Sequence, residues 1–531
     1  MRTGSPSYRL SMVALVATAV AASTGRGPSL EAQTLEERVS EVIGRPEFRG
    51  STFGILVKRL GTDEVILRRN EKALLPPAST TKLLSCGGAL AILGKDFRWK
   101  TRLFGDAGGD LVLMASGDPN LSQRLGKDGR LRFRDKDHSY AGFSDASLVP
   151  GDPLVVLRQL ALEARDNGKG EIHGDVIVDD GLFKETNDSF IGPFSAMCVN
   201  DNLVDITVTP GEEPGDAVEI DYQPKLPSVK VKVSARTGKR GSSTSLRVES
   251  RPGVASFELL GSIPAGGRPT LRVGRLEQPA LAAAHFLVDI FEEIGVKVHG
   301  KPRRRRDGPG GRVDRKGRVW AEHVSAPLSE AIRVALKVSH NLHATMFPVM
   351  VGARRGRRAD RVEGYRFIRG YFQHKGLDVN SVVIQSGSGG GRQDRLSAEF
   401  MVGVLETMAR RADFPVFLDA LPVSGVDGTL ATRFRAADLR GRIRAKTGTL
   451  VYRGSFNKRW IYISKALAGY VDLRSPERPE EMLVFSITIA NTVADSRKAG
   501  VDALFRAQED ILRAVIETRS APADGGVPER K

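Results

Sequence analysis

Strand signals gather at the two ends of this chain, and the long middle has to be accommodated around them. Near the start, Thr52 to Leu60 carries Phe-Gly-Ile-Leu-Val, turns at Gly61-Thr-Asp63 and returns through Val65-Ile-Leu67, the pattern of a β-hairpin. Near the end, strand-like runs recur around Tyr452, Ile461, Leu467 to Val471 and Leu483 to Ile489, before an amphipathic helical pattern from Asp495 to Arg519. One sheet built from both ends accommodates these runs. The stretch 101–300, rich in short β-type segments separated by Gly, Pro and Asp, then reads as an insertion. A chain of 531 residues also exceeds what one core usually organises, so more than one domain is expected.

Three short motifs carry the chemistry. After Pro76-Pro77, apolar residues return at helical spacing (Leu83, Cys86, Leu90), so a helix is predicted to begin at or just before Ser79. In Ser79-Thr-Thr-Lys82 the spacing of three places the lysine amine one turn along on the serine's face. Serine needs a base, and a lysine buried beside other cations can lose its proton and serve as one. In Ser339-His-Asn341, two polar side chains two apart can face one pocket, the serine relaying a proton and the asparagine holding a peptide group. In Lys446-Thr-Gly448, on a strand-like run continued by Thr449, the glycine permits close approach of a ligand backbone. Lys446 and Thr447 offer a cation and a hydroxyl to a carboxylate, and the Thr449 N–H can pair with that of Ser79 as an oxyanion hole. Each triplet alone is weak; their order and local settings together are what point to serine acyl transfer.

Longer stretches are more specific. They include Ser116-Gly-Asp-Pro-Asn-Leu121, Gly174-Asp-Val-Ile-Val-Asp-Asp180, Ser195-Ala-Met-Cys-Val-Asn-Asp-Asn202, Gly387-Ser-Gly389, Leu421 to Leu430 and Ala468-Gly-Tyr470. On these the chain resembles, from Leu35 to Asn491, the class C low-molecular-mass penicillin-binding proteins, the D-alanyl-D-alanine carboxypeptidase/endopeptidase family. The resemblance implies an α/β (α+β) fold: a penicillin-binding transpeptidase/β-lactamase-like catalytic domain split by a large β-rich insertion that carries a nested domain. It divides the chain into a signal peptide at 1–33, catalytic segments at 34–100 and 301–519, inserted domains at 101–300 and a disordered tail at 520–531. It also implies that Ser79, Lys82 and Ser339 are catalytic and that Asn341, Lys446, Thr447, Gly448 and Thr449 bind substrate. The partners it implies are peptidoglycan peptides and β-lactams, and no metal or organic cofactor is required. Asp201-Asn202 is read as structural. Departures from the family pattern are Ser386, where an aspartate commonly precedes Gly-Ser-Gly, Gly390-Gly391 in place of a bulkier pair, His340, and a long Ser455 to Lys465 stretch expected at the mouth of the cleft.

A basic start, an apolar run from Leu10 to Ala22 and small residues around Ala21 and Ala32 read as a secretory leader, which puts the mature protein in the periplasm or cell envelope. The 80 Lys and Arg against 63 Asp and Glu give +17, part of it in Lys301 to Arg306 and in Arg354, Arg355, Arg357, Arg358 and Arg361. For an exported chain without a recognition motif this excludes nucleic acid as the expected partner and leaves a solvated basic surface or contact with anionic envelope polymers or lipids. Cys86 and Cys198 are expected as buried thiols. His340 and His343 could be taken for metal ligands, but the glutamate of a zinc-peptidase helix is absent, so packed or surface histidines are expected. Two rival functions remain open at this level: a β-lactamase-like hydrolase of the same superfamily and a non-catalytic peptidoglycan-binding envelope protein.

Overall fold

The computed structural model describes residues 33–105, 109–142, 145–184, 187–305, 317–356, 359–476, 478 and 480–520. The expected leader, Arg306, Arg357, Arg358 and nearly all of the expected tail lie outside the described residues. A helix α1 (Leu35–Ile43) opens the described chain, capped by Thr34 and Glu37 in a reciprocal capping box. It leads into strands β1 (Thr52–Arg59) and β2 (Val65–Arg69). Late in the chain come β3 (Ile443–Arg453), β4 (Trp460–Asp472) and β5 (Met482–Ala490). The sheet runs β2-β1-β5-β4-β3, with Thr492–Ala494 added beside β4. The first strand pairs antiparallel with the last long one, Thr52 opposite Ala490 and Arg59 opposite Leu483. Both ends of the chain therefore share one sheet, as the strand signals predict.

Helices cover both faces of this sheet, which is why β5 is buried along its whole length instead of alternating. On one face Ile55, Val57, Phe485 and Ile487 pack on Val39 and Val42 of α1 and on Leu504, Ile511 and Val515 of a C-terminal helix spanning Arg497–Ser520. On the other face Leu56, Tyr470 and Val484 meet α2 (Thr81–Leu93) and the helix Ala398–Ala409, through residues such as Leu83, Leu90, Met401 and Met408. Each fully buried Leu or Ile here contributes about 1.5–3 kcal/mol. Among the described residues no helix is long and apolar enough to cross a membrane.

The Ser339-His-Asn341 motif lies between two helices, α3 (Leu328–Lys337) and α4 (Asn341–Arg355). The break is Ser339, whose backbone is left-handed at φ 63°. That conformation cannot continue a right-handed helix, and it turns the motif side chains inward.

The central stretch builds other sheets. Strands Pro302–Arg305, Val176–Asp179, Leu111–Met114, Lys100–Gly105 and Val319–Val324 form a five-stranded sheet in that order, with helices Val155–Asp166 and Pro279–Glu293 against the same core. Between the latter strands of this unit, Leu203 to Arg275 forms three small sheets of its own. Strands 302–305 and 319–324 pair with Val176–Asp179 and Lys100–Gly105 of this sheet. Within the basic run, Pro302–Arg305 is a strand of this sheet: Arg303 pairs with Asp175 at 2.7 Å and Arg304 grips both oxygens of Asp180 at 2.9 and 2.6 Å. Cys86 and Cys198 are both buried free thiols.

Candidate active site

The site forms where three elements meet: the turn entering α2, the α3–α4 junction and the edge strand β3. Ala78 at φ 47° turns the chain after the two prolines, and residues 78–80 make one 3-10 turn before α2 begins at Thr81. The helical start predicted around Ser79 is thus found there. Thr80 and Thr81 return their hydroxyls to the carbonyls of Pro77 and Ala78 at 2.7 and 2.9 Å, fixing the turn.

Lys82 is fully buried, and its Nζ lies 2.9 Å from Ser79 Oγ, 2.8 Å from Asn341 Oδ1 and 2.7 Å from the Ser388 carbonyl. A neutral amine has two N–H donors and one lone pair. That matches two acceptor-only partners and one hydroxyl able to donate. Burial, reinforced by the nearby Lys446 cation, holds the Lys82 amine well below the ordinary lysine range. Lys446 Nζ donates to Ser339 Oγ at 2.8 Å and to the Thr447 carbonyl at 2.7 Å, and burial brings its pKa down to about 7. Thr447 donates to Thr429 Oγ1 at 2.9 Å. A side chain at Gly448 would stand 2.8 Å from the Pro77 carbonyl and 3.1 Å from the Ser79 nitrogen, so this glycine lets β3 lie against the Ser79 turn. Thr449 accepts from Lys465 Nζ at 2.7 Å; Lys465 is itself buried and held well below the usual lysine range by burial and by Arg433 and Lys446.

All eight sequence-predicted residues therefore converge, with Ser79–Lys82–Asn341 as one connected group and Ser339–Lys446–Thr447 as the next. Sequence reasoning missed several others. The Ser388 carbonyl, Thr429 and Lys465 reach the site through loops and strands remote in sequence. Tyr140, from the inserted stretch, donates through its hydroxyl to the Ser339 carbonyl at 2.5 Å and so braces the left-handed residue. Thr429 and the Gly387-Ser-Gly389 carbonyls do lie in the longer stretches that carry the resemblance, which is the one signal that could have found them.

The departures from pattern have physical accounts. Ser386 accepts from Gly389 N at 2.8 Å and donates to Asp394 at 2.7 Å, so Asp394 supplies a carboxylate behind the short side chain. Gly390 lies under the ring of Phe190. The Ser455 to Lys465 stretch is the turn and return strand of a β3–β4 hairpin that runs past Thr449, and Tyr452 on it stacks under the Arg392 guanidinium at 4.8 Å. His340 and His343 are buried, not exposed, and Asp201 reaches them from the inserted stretch: His343 Nε2 is 2.6 Å and His340 Nε2 3.3 Å from Asp201 Oδ1. His138 bridges Asp201 and Asp205 at 2.8 and 2.7 Å, and these carboxylates raise its pKa well above the free value against the opposing effect of burial.

A serine, a depressed lysine on the next helical turn and a cation-bearing edge strand, on a sheet of this connectivity, define an active-site-serine acyl-transfer enzyme of the penicillin-interacting class. A family profile described as the D-Ala-D-Ala carboxypeptidase 3 (S13) family matches residues 35–509, and the chain belongs to that family of serine D-Ala-D-Ala carboxypeptidases. Among curated relatives, it is 26% identical to a D-alanyl-D-alanine carboxypeptidase of Actinomadura sp. (strain R39), over 85% of this chain and 80% of that protein. It is 23% identical to D-alanyl-D-alanine carboxypeptidase DacB of Haemophilus influenzae, over 77% and 81% of the two chains. Penicillin-binding protein 4 of Haemophilus influenzae has the same fold, with a TM-score of 0.68 at 20% identity over 89% of this chain and 99% of that one. That protein has also been solved with a β-lactam bound.

Proposed function

We propose that this protein removes or releases D-alanine ends and cross-links of peptidoglycan stem peptides through an acyl-enzyme on Ser79. Ser79 Oγ attacks the penultimate D-alanine carbonyl while neutral Lys82 takes its proton; the amide C–N bond breaks, and the proton leaves with the amine through Ser339. Asn341 holds the substrate peptide group, and Lys446 and Thr447 hold the terminal carboxylate of substrate or β-lactam. The Ser79 and Thr449 N–H groups receive the oxyanion beside Gly448. Water then cleaves the ester and restores Ser79. The observation that carries this reading is the buried Lys82 amine, in contact with both Ser79 Oγ and Asn341 Oδ1 and with no carboxylate among its hydrogen-bond partners.

In this proposal the catalytic unit is formed by 34–100 and by the chain from about 325 to 519, with the inserted units between. The leader at 1–33 directs export to the periplasm, where the substrate lies. The described arginines at 303 and 304 are held by Asp175 and Asp180, which favours a structural role over an anionic-surface contact and gives no reason to invoke nucleic acid. The test is fluorescent penicillin and a D-Ala-D-Ala pentapeptide. Stoichiometric labelling and D-alanine release by the purified protein, both lost in Ser79→Ala, are expected. Equal labelling of the variant would remove the nucleophile, labelling without any peptide product would leave a binding protein, and rapid turnover of a chromogenic cephalosporin would make it a β-lactamase.

A further inference from the structure

His340 belongs to the catalytic tripeptide by sequence, yet its ring points away from Ser79 into a second buried cluster. There, His340 and His343, three apart at the start of α4, stack with ring centroids 3.7 Å apart and turn both Nε2 atoms towards one oxygen of Asp201. Their ligand atoms and that oxygen lie within 4.8 Å of one another. The side chains are 2% exposed at both histidines, and His340 Nε2 has no hydrogen-bond partner among the described residues. Leaving such a group unpaired in the interior is costly unless something else satisfies it.

The surroundings fit a cation. Asp137 and Asp205, both buried, and the partly buried Asp201 converge on the cluster: Asp201 and Asp205 hold His138, and Asp137 lies 3.8 Å from His340 Nε2. A cavity of about 30 Å³ opens beside it, lined by Asp137, Asp201, His340 and His343 together with Arg124 and Arg132, and is large enough for one water as a further ligand. His138 donates to the free oxygen of Asp201 and is held in turn by Asp205. Such an outer shell orients a ligating carboxylate in many metal sites.

We propose that Asp201, His340 and His343 bind a divalent metal ion of the zinc class, as a structural site that clamps the Ser339-His-Asn341 junction to the inserted stretch. Two imidazole nitrogens and one carboxylate oxygen are donors that suit zinc(II). Around zinc, ligands at about 2.0–2.1 Å stand roughly 3.3 Å apart; the two histidine nitrogens lie 2.6 and 3.3 Å from Asp201 Oδ1, and a reorientation of the stacked rings would turn both nitrogens onto one ion. The site lies outside the acyl-transfer chemistry. It acts on the junction through His340, whose neighbours on either side are Ser339 and Asn341.

The probe is zinc(II) alone, added to chelator-stripped full-length protein, with bound metal counted by mass spectrometry after removal of excess. An exposed group, Glu171, His173 and His299, could also take zinc, so His173→Ala/His299→Ala serves as the background. One equivalent retained there, and lost on adding His343→Ala, is the expected result. Should His343→Ala not fold, judged by loss of a cooperative thermal unfolding transition, X-ray absorption at the zinc edge of the background variant is expected to give two imidazole ligands. Retention well below one equivalent in the background, undiminished zinc in His343→Ala, or fewer than two imidazoles each overturns the proposal. None of these readouts depends on Ser79, so the proposed reaction can stand or fall separately.

Discussion

Two buried polar clusters share the tripeptide Ser339-His340-Asn341 and are built on opposite principles. Ser339 and Asn341 face lysines and hydroxyls, and no carboxylate hydrogen-bonds to Lys82 or Lys446. His340 faces Asp201, with His138 and Asp205 behind it. Burial costs a charge in both places, but the outcome differs with the neighbours. Burial, with the Lys446 cation beside it, brings Lys82 towards neutrality and lets it act as a base; between carboxylates His138 is driven above its free value. One cluster spends stability on reactivity, and the other holds the scaffold.

The largest effect that would break this contrast is expected at Lys82. Lys82→Met should slow acylation by fluorescent penicillin about 10³-fold, the scale of a lost general base, while the denaturation midpoint holds or rises because a buried amine is removed. A stopped-flow rate within tenfold of the unsubstituted protein would mean that Lys82 is not the base. The opposite signature is expected at Asp205→Asn, which removes a carboxylate from His138: a stability loss of about 3 kcal/mol in urea, with labelling per folded molecule unchanged. A smaller effect is set by pH. The Lys446 cation is present below its pKa of about 7 and lost above it, so kcat/KM for carboxylate-bearing substrates should fall roughly tenfold per pH unit on the alkaline side. Lys446→Arg should flatten that limb. The smallest is Tyr140→Phe, which removes one hydrogen bond to the Ser339 carbonyl. About 1 kcal/mol, or roughly fivefold in acylation rate, is expected.

How much of this was legible in the sequence depended on how far each contact reaches along the chain. Ser79 and Lys82 could be placed together because three residues on a helix fix their geometry, and Lys446 to Thr449 because flanking residues mark a strand. The left-handed backbone at Ser339 is braced by the Tyr140 hydroxyl, a contact that comes from outside the local sequence. Tyr140 and the Ser388 carbonyl reach the site from remote segments that no periodicity connects, and Lys465 from the strand paired opposite Thr449. Asp201 was read as structural and His340 and His343 as packed or exposed; their meeting in one buried cluster needed the fold. Pro302 to Arg305 is a strand because it pairs with Val176–Asp179, a partner too remote in sequence for any local pattern to signal.

The pairing of Thr52 with Ala490 also governs how the molecule comes into being. A chain emerging from its N-terminus holds β1 and β2 with an open edge until the final long strand arrives, while the intervening units can already close on themselves. Competence to react with a β-lactam should therefore be the last property acquired during maturation, and a chain cut before Met482 should be rich in folded structure yet inert.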